Sequence, residues 1–487
     1  MERRVVITGM GIWSCIGTTL DEVRLSLFEG RSGIVFSQQR LDAGFRSPIC
    51  GNVPRPDLKK VLSRNVRQMM PEEAQYAYCA TVQALEQARL TQDYIDSHEV
   101  GVIYGNDSVA ESTMVAMDKF RQVQSTAACG SGAIFQSMNS TVTMNLATLF
   151  HLKGINLTAS AACASGSQSL GLAFLLIRNG LQDCIVCGGA EENNMYGIAS
   201  FDALQTFSTR VNEPTKASRP FDRDRDGLVP SGGAATLIVE SYEHAVRRGA
   251  PILAEILGWG FSGNGDHIST PNVEGPARSL LRCISCAGIK PQDIGYVNAH
   301  ATSTPIGDSR EAEAIAQVFG DYRVPVTSTT SLTGHEMWMA GASEIIYSML
   351  MMKNDFIGGS LNFENPDEVT SCINVIPETR QQHFDMFLSN SFGFGGTNST
   401  LIIKNLSNMT RQEIIEQVNS LLEEEFEVEQ SEFAPEANLK ETLNLDSINL
   451  VDLIALVQFT YKITIPVEDL KKIQTFNNLY DYIEQHL

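Results

Sequence analysis

NLTASAACASGSQSLGLAFLLI (residues 156–177) changes character at its middle. It opens as a short strand, passes through a run of small residues, and continues as a long apolar helix. A strand that turns in this way into a buried helix is the working unit of an α/β fold. Cys163 stands at the passage, where the helix presents its positive end. A helix N-terminus favours thiolate over thiol, and Ala162, Ala164, Ser165 and Gly166 leave room for a carbonyl to approach. These are the surroundings of a nucleophile. They also suit one more buried cysteine, and the local sequence leaves both readings open.

Outward from this stretch, strand patterns recur at RRVVITG (3–9), EVGVIYG (99–105), DCIVCGGA (183–190), AATLIVE (234–240) and IGYVNAH (294–300), separated by helical patterns. Several lack the polar–apolar alternation of a half-wet sheet, so helices are expected on both faces in a layered α/β sandwich. No clean internal repeat is visible. From Leu406 to Leu487 the composition shifts to 16 Asp/Glu against 5 Lys/Arg, a net of −11 out of −21 for the chain. TRQEIIEQVNSLLEE (410–424), SINLVDLIALVQFTY (447–461), PVEDLKKI (466–473) and FNNLYDYIEQHL (476–487) read as helices, and no strand is expected there. The tail is a small helical bundle.

The net charge of −21 argues against nonspecific binding to nucleic acid or an anionic membrane. No apolar run reaches the ~18 residues of a membrane span, and no signal-peptide core follows MERRVVITGM. Ten cysteines scattered singly through apolar surroundings fit a reducing compartment, the cytoplasm by default. Cys184/Cys187 and Cys283/Cys286 have Cys-x-x-Cys spacing but no clustered histidines, and are expected to be structural.

Three further segments carry chemistry. His300 ends a strand and introduces a helix bearing Asp308 and Glu311; His335 follows Thr333 and Gly334 at another element end. Taken singly, each is equally readable as a satisfied core histidine. SNSFGFGGTNSTLI (389–402) cannot bury side chains at its glycines but can bring backbone amides to a ligand.

Together, ACASG (162–166), AHATSTPIGDSRE (299–311), TGHEMWMAGASE (333–344) and NSFGFGGTN (390–398) resemble a β-ketoacyl-acyl-carrier-protein synthase, over roughly Arg3 to Lys404. VPSGGAAT (229–236) makes it most similar to the unsaturated-fatty-acid branch. The resemblance implies a thiolase-like αβαβα core of two similar halves in five layers, acting as a homodimer. It further implies that Cys163 takes a primer acyl group while His300 and His335 hold a malonyl thioester and promote its decarboxylation. The backbone N–H groups of Cys163 and Phe394 become oxyanion donors, the Phe394 ring a gate, and Glu344 and Phe392 supports. No catalytic metal is implied. LNLDSINLVDLIALV (443–457) resembles the attachment signature of acyl carrier proteins, with Ser447 bearing 4'-phosphopantetheine placed by a phosphopantetheinyl transferase. The expected division is a synthase domain at 1–405, a linker at 406–410 and a four-helix carrier domain at 411–487.

Two positions depart from the family pattern. Thr330 stands where a lysine is usual, and Trp338 interrupts a stretch that is usually small. The first leaves open a homologue that transfers or holds acyl chains without elongating them; a non-catalytic chain-length or docking subunit is the third reading.

Overall fold

The strand expected at residues 3–9 forms as β1 (Val5–Trp13) and begins a series of elements that the chain runs through twice in the computed structural model. The first series is β1, α1 (Glu72–Gln87), β2 (Gly101–Gly105), α2 (Thr141–Phe150), β3 (Asn156–Ala159), α3 (Ser165–Arg178), β4 (Cys184–Glu191) and β5 (Gly233–Ser241). The second is β6 (Ala254–Gly263), α4 (Glu274–Ala287), β7 (Tyr296–Asn298), α5 (Pro305–Phe319), β8 (Pro325–Thr327), α6 (Ala340–Lys353), β9 (Met386–Gly393) and β10 (Thr397–Asn405).

In space the strands run β1-β5-β4-β2-β3 and β6-β10-β9-β7-β8. In each half the first two pairings are antiparallel and the last two parallel. The halves meet where β1 pairs with β6, Val6 opposite Glu255 and Ile7 opposite Ala254. The repeat escapes a reading of the sequence because each half needs only apolar residues at matching positions, not the same ones.

Both faces of each half-sheet are covered, as the missing alternation requires. Along β4, Ile185 and Cys187 enter the apolar layer between the halves, while Cys184 and Val186 enter the layer under α1 and α2. Along β10, Leu401 and Ile403 point to the shared layer and Ile402 to the one beneath α4 and α5. With α3 and α6 in the middle, five layers result, the thiolase-like arrangement. Each fully buried Val, Leu or Ile contributes about 1.5–3 kcal/mol through removal of apolar surface from water. Cys184 and Cys187 thus face opposite ways, and all ten cysteines are free.

The middle helices approach closely at their N-terminal ends. A Cβ on Gly166 would lie 2.9 Å from the Ala342 nitrogen, and one on Gly341 would lie 2.5 Å from the Ser167 nitrogen. Any larger residue at either position would push the two helix starts apart.

The structure describes residues 2–406, 411–445, 449–461, 463, 465, 466, 469 and 472–486. The chain divides into two compact units, Met1–His244 with Pro251–Asn405, and Leu406–Leu487 with Ala245–Ala250. In the second unit the described helices are α7 (Arg411–Phe426), α8 (Leu439–Thr442), α9 (Asn449–Tyr461) and α10 (Phe476–His486). Ile414, Val418 and Leu422 line one face of α7 and share a core with Leu453, Val457, Phe476, Leu479 and Ile483. Phe433 stacks on Phe476 at 5.0 Å, and Arg411 pairs with Asp481 and Glu484. The expected helix at 466–473 falls partly outside the described residues. Among the described residues no helix is long and apolar enough to cross a membrane.

Candidate active site

Between β3 and α3 the backbone makes a sharp turn. Ala162 lies in the left-handed region at φ 48°, and Ser165 Oγ locks the turn by accepting from the Ala161 N–H at 2.8 Å and donating to the Ala162 carbonyl at 2.6 Å. A non-glycine residue held there costs about 1–3 kcal/mol, which the surrounding packing must outweigh. The turn carries Cys163 to the start of α3.

His335 reaches the same point from the second half, on the loop that leads to α6. Its N–H donates to the Val229 carbonyl at 2.7 Å and its carbonyl accepts from the Ser231 N–H at 2.9 Å, so the VPSGG segment holds the loop. His300 follows β7, and Glu311 fixes it from α5 by accepting from the N–H groups of His300 at 2.9 Å and Ala301 at 2.7 Å. Asn390 adds a third donor to Glu311 at 3.0 Å. Burial pushes Glu311 up to about 7, against these donors.

The close approach of α3 and α6 brings the three side chains together. His335 Nε2 lies 3.0 Å from Cys163 Sγ, and the two imidazoles meet edge to face at 5.2 Å. One donor atom from each of Cys163, His300 and His335 falls within 4.8 Å of the others. The Phe392 ring packs against His300 at 6.0 Å, and the N–H groups of Cys163 and Phe394 favour the ionised form of the thiol. Phe394 stacks its ring on Phe201 at 6.0 Å. A cavity of about 480 Å³ opens onto the triad, its approach lined by Thr302, Thr304, Phe394 and Asn398.

One expectation is corrected here. Burial pushes the Cys163 thiol up to about 12, with the charges of Glu191 and Asp107 adding, and the two N–H groups only partly offset it. The helix end does not by itself make a thiolate; the proton stays on sulfur until a base removes it. That base is in place. Burial lowers His300 to about 4 and holds His335 well below 6.5, the charge of His300 adding to the second shift, so both rings are neutral. Neither Nδ1 has a partner among the described residues, so each ring is free to place its proton on either nitrogen.

Glu344 lies buried on α6 with Oε2 unpartnered. Burial, then the charges of Glu336 and Glu311, holds it well above the usual carboxylate range. Thr330 is buried, its carbonyl accepting from Ser218 Oγ at 2.8 Å. Trp338 shares one apolar cluster with Cys163, Phe207 and Leu228. Ser447 lies outside the described residues, together with Asp446 and Ile448.

Sequence reading missed Phe201, which stacks on Phe394 from the helix Met195–Ala203 after β4, because nothing near Phe201 in sequence marks it. It also missed Glu336, a buried acid that accepts from Ser14 Oγ at 2.9 Å, Ser343 Oγ at 2.5 Å and Tyr347 Oη at 2.8 Å.

Trp338→Gly is expected to raise acylation of Cys163 by acyl groups several carbons longer than the wild type accepts. An increase of at least about tenfold follows from the worth of each accommodated methylene. Intact-protein mass after loading with a series of thioesters measures it, and an unchanged length profile would place Trp338 outside the acyl path.

Comparison with known proteins agrees with this geometry. The β-ketoacyl synthase N-terminal domain profile matches residues 2–245 and the C-terminal domain profile residues 253–364; a phosphopantetheine attachment site profile matches 416–483. The chain is 41% identical over 405 residues to 3-oxoacyl-[acyl-carrier-protein] synthase 1 of Haemophilus influenzae, covering 82% of this chain and 99% of that protein. Against the synthase 1 of Escherichia coli it is 40% identical over 409 residues, covering 83% and 99%. A β-ketoacyl synthase crystal structure from Burkholderia phymatum superposes with a TM-score of 0.79 at 35% identity, covering 83% of this chain and all of that one. An intact triad at the end of such a cavity also sets aside the non-catalytic subunit. The chain therefore belongs to the β-ketoacyl synthase family, as a condensing, Claisen-type acyltransferase of the synthase 1 kind fused to a phosphopantetheine-bearing helical domain.

Proposed function

We propose that Cys163 is the nucleophile, and that His335 and His300 serve a two-step elongation in fatty-acid or polyketide-like synthesis. The observation that carries this is His335 Nε2 at 3.0 Å from Cys163 Sγ. In the first step Sγ attacks the carbonyl of a carrier-bound acyl thioester and its proton passes to His335 Nε2. The N–H groups of Cys163 and Phe394 hold the tetrahedral oxyanion, and the carrier thiol leaves with the proton. In the second, malonyl thioester enters past the Phe394 gate. The two Nε2–H groups donate to its carbonyl, CO₂ departs, and the enolate carbon attacks the acyl carbonyl on Cys163. The β-ketoacyl thioester forms, the departing Cys163 thiolate takes the Nε2 proton of His335, and the ring is reprotonated from solvent, the one proton that the overall reaction consumes. His335 Nε2 serves as acceptor and then as donor because its Nδ1 is not pinned. Phe392 steadies the His300 ring, and Glu344, protonated, organises the site from behind.

The proposed domains are the synthase at 1–405, a linker at 406–410 and the carrier domain at 411–487. Phosphopantetheine on Ser447 supplies the thiol that presents acyl or malonyl groups as thioesters. Co-expression with a phosphopantetheinyl transferase is expected to add one pantetheine by intact mass, and Ser447→Ala to lose it completely. A homodimer is supported by β3, which ends its sheet with Leu157 exposed, and by exposed Met114, Phe120, Phe135 and Met138 nearby in the chain. The free cysteines fit a cytoplasmic setting.

Measuring both half-reactions on the phosphopantetheinylated chain tests the reading. Acylation of Cys163 is expected to be efficient and malonyl decarboxylation slow, because Thr330 stands where the family has a lysine, while burial and the charges of Glu336 and Glu311 hold Glu344 well above the usual carboxylate range. Thr330→Lys is expected to speed decarboxylation relative to acylation by about tenfold, the worth of one charge-assisted hydrogen bond. Fast decarboxylation in the unmodified chain would defeat the impairment. No condensation with any malonyl donor would favour acyl transfer without elongation.

A further inference from the structure

One polar atom beside Cys163 takes no part in the steps above. Trp338 is 6% exposed and sits in one apolar cluster with Cys163, Ile198, Phe207, Leu228 and Met337, with Phe201 packed against it. Its indole Nε1 is buried and has no hydrogen-bond partner among the described residues. An indole N–H can only donate, so what it lacks is an acceptor, and an unpaired donor in apolar surroundings destabilises the fold unless a ligand supplies one. The open cavity reaches Cys163 past Thr302, Thr304 and Phe394, and Phe201 and Leu228, both packed with Trp338, also line it. A carrier arm enters past Thr302 and Thr304, and the wall of Phe201 and Leu228, with Trp338 packed against it, borders the space left for the acyl group.

Resting on Cys163 as the acylated residue, we propose that Trp338 is a specificity residue of an acyl subsite. Its indole N–H donates to an oxygen on a short acyl chain, a ketone, hydroxyl or ether a few atoms from the thioester. The phenyl rings of Phe201 and Phe207 offer that oxygen no competing partner. A site built to pair with one polar group of its substrate discriminates strongly against the analogue that lacks it, because the buried donor is then left unpaired. The bulk of the indole also limits chain length, so the preferred acyl group is both short and oxygenated.

The test offers the full-length chain matched thioesters of equal length, one plain alkyl, the others with an ether oxygen in place of a single methylene at successive positions. Acylation of Cys163 is followed by intact-protein mass. An oxygen at one position is expected to load about tenfold faster than the alkyl chain. In Trp338→Phe, which keeps a ring and removes the donor, the ratio of the two rates is expected to fall to near one. Wild-type tryptophan emission provides a second readout, shifting on loading with the favoured ether and not with the alkyl chain. Equal rates in the wild type, or an advantage that survives in Trp338→Phe, overturn the subsite alone. Loading of no thioester at all overturns the acyl-enzyme reading itself and the subsite with it.

Discussion

Cys163→Ala is expected to abolish the acyl-enzyme and to lower condensation by more than about 10⁴-fold, while carbon dioxide is still released from malonyl thioester. The first loss follows from covalent catalysis: without Sγ no bond holds the primer for the incoming enolate. The survival of decarboxylation follows from the geometry, since the two imidazoles meet at 5.2 Å on their own elements and neither depends on the thiol for its position. Alanine also relieves one buried group without opening a large void, so the fold should persist. Mass after incubation with acyl thioester, together with CO₂ release from malonyl thioester, checks both halves. Acylation persisting in Cys163→Ala would remove the nucleophile assignment.

His335→Ala should slow both half-reactions, decarboxylation by about 10³-fold, because one atom is both the base for Cys163 and a donor to the enolate. His300→Ala should slow decarboxylation more than acylation, since the hydrogen bond to the thiol comes from His335. The pH profile separates these rings from ordinary histidines. Burial takes His300 from 6.5 to about 4 and holds His335 lower than usual, so wild-type decarboxylation should keep its rate from about pH 7 to about pH 5. Because the folded values lie below the unfolded one, the two rings contribute stability that is complete above about pH 6.5. The His300 part is lost as pH falls from 6.5 through about 4, and the His335 part is lost in the same direction. The buried acids Glu311 and Glu336 act in the opposite sense, their folded values raised by burial to about 7, and their contribution is lost as pH rises through that value. A decarboxylation rate that halves near pH 6.5 would show that the rings are solvated during turnover.

The sequence by itself determined the α/β class, the helical tail and the residues that do the chemistry. Strands buried on both faces lose polar alternation, a strand-to-helix turn needs small residues, and a charge-rich break marks a change of unit, so each feature is local enough to read. Cys163, His300 and His335 were marked by their places at element ends, and four ordered motifs made them one family. What only the tertiary structure decided depends on residues far apart in the chain. The doubled order of strands is carried by pairing, which no single segment records. Phe201 stacks on Phe394 across 193 positions, and Glu336 finds Ser14 across 322, contacts that no neighbouring residue announces. The state of the thiol was misjudged for the same reason. A helix end is visible in the sequence, but burial is a property of the whole molecule, and around Cys163 its desolvation outweighs the helix end and the amide donors.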